Sequence, residues 1–327
     1  MYIDIIMKYI NYISSFLILV GIGFIYEKLK IKNIHSNDNT DYDLVTKYLL
    51  NDIKDLNLPF IWIHIDNYKN SRNWDNFKSR TNNELNIPYI DLTIQTIVNK
   101  CKDDFNICLL NDESFKILLP NWNIDIERVA DPIKSKCREL GIARILHKYG
   151  GIYLPPSFIC IKNLKDLYDT QQYSNKFFVG EFLNDMVNPE SVCYYPSNKL
   201  MISNKNCKET IEYIEYLEHL ISKDNTCEST FLKSIGYYFN SKIKENKIQL
   251  IPAEYIGIKD NNKNKITLDR FFDNDEIKLY NNCYGIYINN NELLKRQKYN
   301  WYCYLSIDEV INVNNYISSK LREILII

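Results

Sequence analysis

The run Ile133–Tyr149 (IKSKCRELGIARILHKY) is followed at once by Gly150-Gly151, by Ile152-Tyr153-Leu154, and then by Pro155-Pro156. Each piece restricts the next. Apolar residues at helical spacing predict a helix over 133–149, with Asp131-Pro132 as its cap and first-turn proline. Gly150 supplies the stop, because glycine adopts the left-handed conformation that ends helices. The short apolar segment after it reads as a strand. Two successive prolines cannot lie inside a ladder, since neither donates an N–H, so they end the strand and stiffen the loop that follows. A helix turned back onto its own strand is the unit from which α/β folds are built.

Further apolar runs fit that scheme. Leu58–Ile65 (LPFIWIHI) is β-branched and aromatic and reads as a buried strand; Phe105–Asp112 (FNICLLND) is a second. Cys207–Lys223 carries the periodicity of a long amphipathic helix, and the Asn-rich segment 259–265 reads as a surface loop. Strands alternating with helices predict an α/β sandwich with a mainly parallel sheet. At 327 residues and 46% hydrophobic content, the chain can bury one large core or two modest ones.

The amino-terminal part has a different character. Tyr9–Tyr26 (YINYISSFLILVGIGFIY) contains no charge and is bounded by Lys8 and Glu27. That length just spans a hydrocarbon core, with tyrosines placed for the interfaces. A cleaved signal peptide is the alternative, but Asp4 precedes the run and no small-residue cleavage site follows it. The expected organisation is a tail (1–8), a transmembrane anchor (9–26), a polar spacer (27–45) and a globular domain (46–327). Lys28, Lys30 and Lys32 follow the run, which favours a cytoplasmic or inner-virion-face domain. Asn is abundant, yet no Asn-x-Ser/Thr acceptor occurs, which points the same way.

Composition narrows the chemistry. A net charge of −1 gives no basic surplus for nucleic acid. The nine cysteines form no CxxC pair, and none of the four histidines sits four residues from another. Zinc ribbons and helical His pairs are therefore disfavoured, and buried free thiols are the expected state.

Glu139–Leu167 (ELGIARILHKYGGIYLPPSFICIKNLKDL) resembles the core of the DXD sugar-binding glycosyltransferases, the yeast-type initiating mannosyltransferases and their bacterial toxin relatives. LPFIWIHI is similar to that family's opening strand, and Phe177–Asn184 (FFVGEFLN) to a later one. The resemblance covers about Leu58–Pro252, and only the Gly-Gly segment is specific. It implies a GT-A, Rossmann-like fold with a nucleotide-sugar cleft at the carboxyl ends of the strands. In the family, the two Asp of Asp-x-Asp hold a divalent metal on the donor diphosphate.

Gly150, Gly151, Ile152, Tyr153 and Leu154 match the pattern. The two Asp fall on Pro155 and Ser157, with Pro156 between them, and the family's helical Arg falls on Ile142, although Glu139 keeps the acidic position. Arg144 lies about 200° round the helix from residue 142. The family's late His before a Trp is absent ahead of Trp301. On the resemblance, Glu139, Arg144, Gly150, Gly151, Tyr153 and Ser157 are the nucleotide-sugar-binding candidates. No cofactor is expected, and Mn2+ or Mg2+ only if other carboxylates rebuild the site.

Asp112 and Glu181, each near a strand end, are the substitute catalytic candidates; Asp66 and Glu113 stand in similar places, each with a bland reading as loop or cap residue. A metal-free transferase would also need a cationic clamp, from Arg138, Arg144 or Lys148. Three readings stay open. One is a membrane-anchored glycosyltransferase-like domain impaired in metal-dependent transfer. The second is an active transferase with a rebuilt or metal-independent site, taking a nucleotide-sugar and a glycan or protein acceptor. The third is a structural virion membrane protein, which the Ile-, Asn- and Lys-rich composition of AT-rich giant-virus genes would suit.

Overall fold

The computed structural model describes residues 44–50, 57–65, 87–183, 194–223, 228–273 and 276–325. The anchor expected at 9–26 and most of the spacer lie outside them, as do Asp66, Cys193 and Cys227. Among the described residues no helix is long and apolar enough to cross a membrane. Tyr48–Ile327 is one compact unit.

Its centre is a six-stranded sheet in the order β2-β1-β3-β6-β5-β7. The strands are β1 (Phe60–His64), β2 (Asn106–Leu110), β3 (Gly151–Leu154), β5 (Phe177–Leu183), β6 (Tyr194–Ser203) and β7 (Ile248–Ile251). β1 pairs in parallel with β2 and β3, and β5 with β7. β6 alone runs against both its neighbours. The result is a mixed α/β fold with a mostly parallel sheet, as the alternation of elements predicts. A small antiparallel pair, β4 (Phe158–Cys160) with β8 (Gly285–Tyr287), lies beyond the turn that ends β3.

Strand alternation decides which helices cover which face. Ile61, Ile63, Ile152, Leu154, Leu200 and Ile202 join the core that includes Ile90, Ile94 and Ile97 of α1 (Pro88–Cys101). Phe60 and Trp62 turn the other way and meet Tyr149, the last residue of α3 (Ile133–Tyr149). Between them lies the short α2 (Ser114–Leu118). α3 packs on α5 (Lys208–Ser222), and α6 (Glu228–Lys244) packs on β6. The remaining helices are α4 (Lys165–Ser174), α7 (Leu268–Phe272), α8 (Asn290–Lys295), α9 (Ile307–Asn312) and α10 (Tyr316–Leu325).

The Gly-Gly pair is a packing device. Gly150 ends α3 at φ 72°, and Gly151 begins β3 at φ 107°. A β-carbon on Gly151 would lie 2.3 Å from the Phe60 carbonyl oxygen, so only glycine lets β3 lie this close to β1. Trp62 Nε1 donates to the Gly150 carbonyl at 2.8 Å and locks the same junction.

One detail departs from expectation. Asp131 caps no backbone N–H of α3; its carboxylate accepts from the Ser135 hydroxyl at 2.6 Å, and Pro132 takes the N-cap position. A side chain one turn on competes for the carboxylate that the sequence pattern assigns to the cap.

Candidate functional site

A cleft of about 280 Å³ opens where β1 and β3 end. His64 and Ile65 form one wall, Arg138, Glu139 and Ile142 of α3 another. Tyr153 and Met201, paired across β3 and β6, form the floor. Pro155, Pro156 and Ser157 close one side, and Asn198, Lys199, Tyr287, Asn290 and Asn291 complete the rim.

The proline turn is braced from two directions. Thr93 Oγ1 of α1 donates to the Pro156 carbonyl at 2.6 Å. Ser157 Oγ donates to the Ile288 carbonyl at 2.6 Å, while Ile288 N–H donates back to the Ser157 carbonyl at 3.1 Å. Ser157 is buried and its single O–H is already used. The turn is thus a rigid part of the wall, fixed by two rings without rotatable φ and three hydrogen bonds.

The polar wall is a linked set. Asp112, just after β2, accepts from His64 Nε2 at 3.0 Å and takes a bidentate pair from Arg138 at 2.7 to 3.2 Å. Burial pushes the Asp112 carboxyl up, but the hydrogen bonds and charge of His64 and Arg138 outweigh it and hold the group well below the usual carboxylate range. His64 stacks on Phe115, with ring centroids 5.4 Å apart. Phe115 fits because residue 141 has no side chain: a β-carbon there would lie 2.7 Å from its ring. One turn along α3, both Glu139 oxygens accept from Lys136 Nζ, at 3.1 and 3.0 Å. Burial, and then the negative charge of Glu139, push the Tyr153 hydroxyl up, so it stays protonated. Tyr89 of α1 donates to Asn290 Oδ1 at 2.6 Å and holds that amide on the rim.

The structure brings Glu139, Tyr153 and Ser157 together with Arg138 and places Asp112 at their edge. It puts the other sequence-derived candidates elsewhere. Gly150 and Gly151 stand at the opposite end of β3, about 13 Å from the proline turn at ~3.3 Å per residue. Arg144 pairs with Glu218 at 2.6 Å and lies over the Trp122 ring. Glu181 accepts from Ala253 N–H and from Lys259 at 2.9 Å, tying β5 to the turn after β7. Lys148 donates to the Leu118 carbonyl, and Glu113 is exposed. Lys199, Asn198, Tyr287 and Asn290 line the cleft without any sequence signal beyond their residue type.

These residues do not fit the divalent cation that the Asp-x-Asp family would bring. A hard cation needs several uncommitted oxygens. Here the two family positions are Pro155 and Ser157, and both nearby carboxylates already have cationic partners. Among the described residues no group of three His, Cys, Asp or Glu side chains converges. Arg138, Lys199, Asn198, Asn290 and Asn291 are the other polar side chains of the cleft beside Glu139, His64 and the serines.

A second cavity, of about 340 Å³, adjoins through Tyr287, which lines both; Asp269, Glu292 and Arg296 supply its charged groups.

No family model matches the chain, and no curated protein matches it. Solved structures do show likeness. A glycosyltransferase involved in glycosylation of the major capsid of PBCV-1 is 11% identical, with TM-score 0.35, over 61% of this chain and 85% of that one. The galactosyltransferase LgtC, in complex with donor and acceptor sugar analogs, is 9% identical, with TM-score 0.38, over 81% of this chain and 94% of that one. The bifunctional glycosyltransferase WbbM is 13% identical, with TM-score 0.41, over 84% of this chain and 53% of that one. Identities and scores at this level assign no residue of this chain a role.

Proposed function

We propose that this chain is a GT-A-like, glycosyltransferase-type domain, tethered to a membrane by residues 9–26, whose cleft takes a nucleotide-sugar without a divalent cation. One observation carries the reading. The cleft lies at the carboxyl ends of parallel strands, where open α/β sheets bind their ligands, yet its carboxylates are neutralised in place and its turn carries prolines. The adjoining cavity behind Tyr287 gives room for an acceptor. Metal-dependent sugar transfer is lost in this reading; binding of the donor is kept.

The test uses the full chain in detergent, with thermal unfolding followed against a panel of nucleotide-sugars, in Mn2+ and in EDTA. A ligand at one hundred times its Kd adds about 2.7 kcal/mol, so a true donor raises the midpoint visibly. The expected result is a shift that is equal in Mn2+ and EDTA, with no metal-stimulated release of sugar. A shift that requires Mn2+ refutes the metal-free reading. No shift with any donor refutes the nucleotide-sugar reading and leaves a structural, membrane-tethered role.

A further inference from the structure

We infer that Cys101 and Cys160 form a disulfide when the chain folds under oxidising conditions, stapling α1 to β4 just past the proline turn; the inference stands apart from what the cleft binds. Both thiols are fully buried, and neither lines the cleft. Their sulfurs meet at 3.8 Å. No other two cysteines among the described residues are hydrogen-bonded to each other.

The backbones that carry the two thiols are already tied together. Cys101 is the last residue of α1 and Cys160 the last of β4. Earlier on the same helix, Thr96 Oγ1 accepts from the Cys160 N–H at 2.8 Å, and Thr93 Oγ1 donates to the Pro156 carbonyl at 2.6 Å. Thr93, Thr96 and Cys101 thus all reach the segment 156–160. A further closure of ~1.8 Å brings the sulfurs to bonding distance, a movement of the size that side-chain rotation supplies while α1 and β4 keep their places.

The pair is also polarised. The hydrogen bond from Cys160 draws the Cys101 thiol below its ordinary value, against burial and with help from the Leu164 amide; the same contact pushes the Cys160 thiol up. As α1 settles on β4, Cys101 is therefore the sulfur favoured as thiolate. The oxidant is a low-molecular-weight disulfide, of which oxidised glutathione is the probe. It first exchanges with Cys160, leaving a mixed disulfide and one glutathione thiol. The Cys101 thiolate then attacks the Cys160 sulfur, the bond to glutathione breaks, and the second glutathione leaves as thiolate and takes up the proton that Cys101 lost. Two protein thiols give up two electrons, and one oxidised glutathione is reduced to two thiols. Buried thiols are inert, so this exchange belongs to the folding chain and not to the finished core. The native protein then keeps the redox state in which it folded.

The test is cell-free synthesis of the full chain in detergent, once with dithiothreitol and once with a buffer of reduced and oxidised glutathione. Remaining thiols are alkylated under denaturing conditions, and the peptides are mapped by mass spectrometry without reduction. In the glutathione buffer Cys101 and Cys160 should be joined to each other in most chains. The bond links residues 59 apart in sequence, so it should raise the thermal midpoint by about 5 °C or more over the dithiothreitol product. Chain folded in dithiothreitol and then moved to the glutathione buffer should stay reduced at this pair, and Cys160→Ser should show one midpoint in both buffers. The map of the wild-type chain decides even where that variant does not fold. No bond between the two, or a bond from either to a different cysteine, overturns the inference. So does rapid oxidation of the prefolded chain, a bond that leaves the midpoint unchanged or lowers it, or a redox-dependent midpoint in Cys160→Ser.

Discussion

At the scale of single residues, two positions show how little freedom the cleft wall has. Gly151 combines a positive φ with a 2.3 Å approach of any added β-carbon to the Phe60 carbonyl. Backbone strain and overpacking add, so Gly151→Ala should destabilise the domain by about 3 kcal/mol or more, read from urea unfolding midpoints. Asp112 makes a different prediction. Its carboxyl is held below the ordinary range in the folded chain. Its stabilisation is therefore complete above the unfolded value, near pH 4, and is lost as pH falls further through the folded value. Asp112→Asn should cost about 3 kcal/mol at neutral pH, because Arg138 loses its counter-charge in a part-buried site. The variant should also show a flatter stability profile below about pH 4 than the wild type. Parallel acid-unfolding curves for the two proteins would contradict that assignment.

At the scale of elements, the turn 155–157 is where three pieces of structure are pinned. α1 reaches it through Thr93, and the strand pair β4–β8 through Ser157 and Ile288. Ser157→Ala and Thr93→Val each leave a carbonyl without its donor and should each cost about 1–3 kcal/mol. Because both braces hold the same turn, the double variant should depart from additivity in a double-mutant cycle. Hydrogen exchange gives an independent check: amides of Phe158–Cys160 and Gly285–Tyr287 should lose protection in Ser157→Ala more than those of β1 and β2. Equal losses across the sheet would mean that the turn braces nothing in particular.

At the scale of the whole molecule, the thiols report on the core. Seven of the nine cysteines are described, and all seven are free and buried. Cys101 and Cys160 sit with their sulfurs 3.8 Å apart between α1 and β4, within thiol hydrogen-bonding range but far from a bond. A disulfide reagent added to the native chain should therefore label no more than Cys193 and Cys227 quickly, and all nine after unfolding. Rapid native labelling of Cys101 or Cys160 would mean that α1 lifts from β4. The absence of a basic surplus also sets a whole-chain expectation, namely no affinity for nucleic acid at physiological salt.

Much of the architecture was legible because its causes are local. The helix over 133–149, its glycine stop, the strand at 151–154 and the proline turn follow from dihedral preferences and donor counts within a few residues, and the missing carboxylates at 155 and 157 are read directly from residue identity. The alternation of Ile61 and Ile63 with Trp62 likewise encodes two buried faces. The asparagine rim and the network His64–Asp112–Arg138 were not legible, since the latter joins groups 48 and 26 residues apart in the chain. Nor was the placement of Arg144 and Glu181 in structural ion pairs away from the cleft. Tertiary structure alone decided that Met201 of β6 lies beside Tyr153, because that depends on the reversed direction and register of β6 against β3. Hydrogen-bonded pairing between distant segments sets that register, and no local sequence pattern contains it.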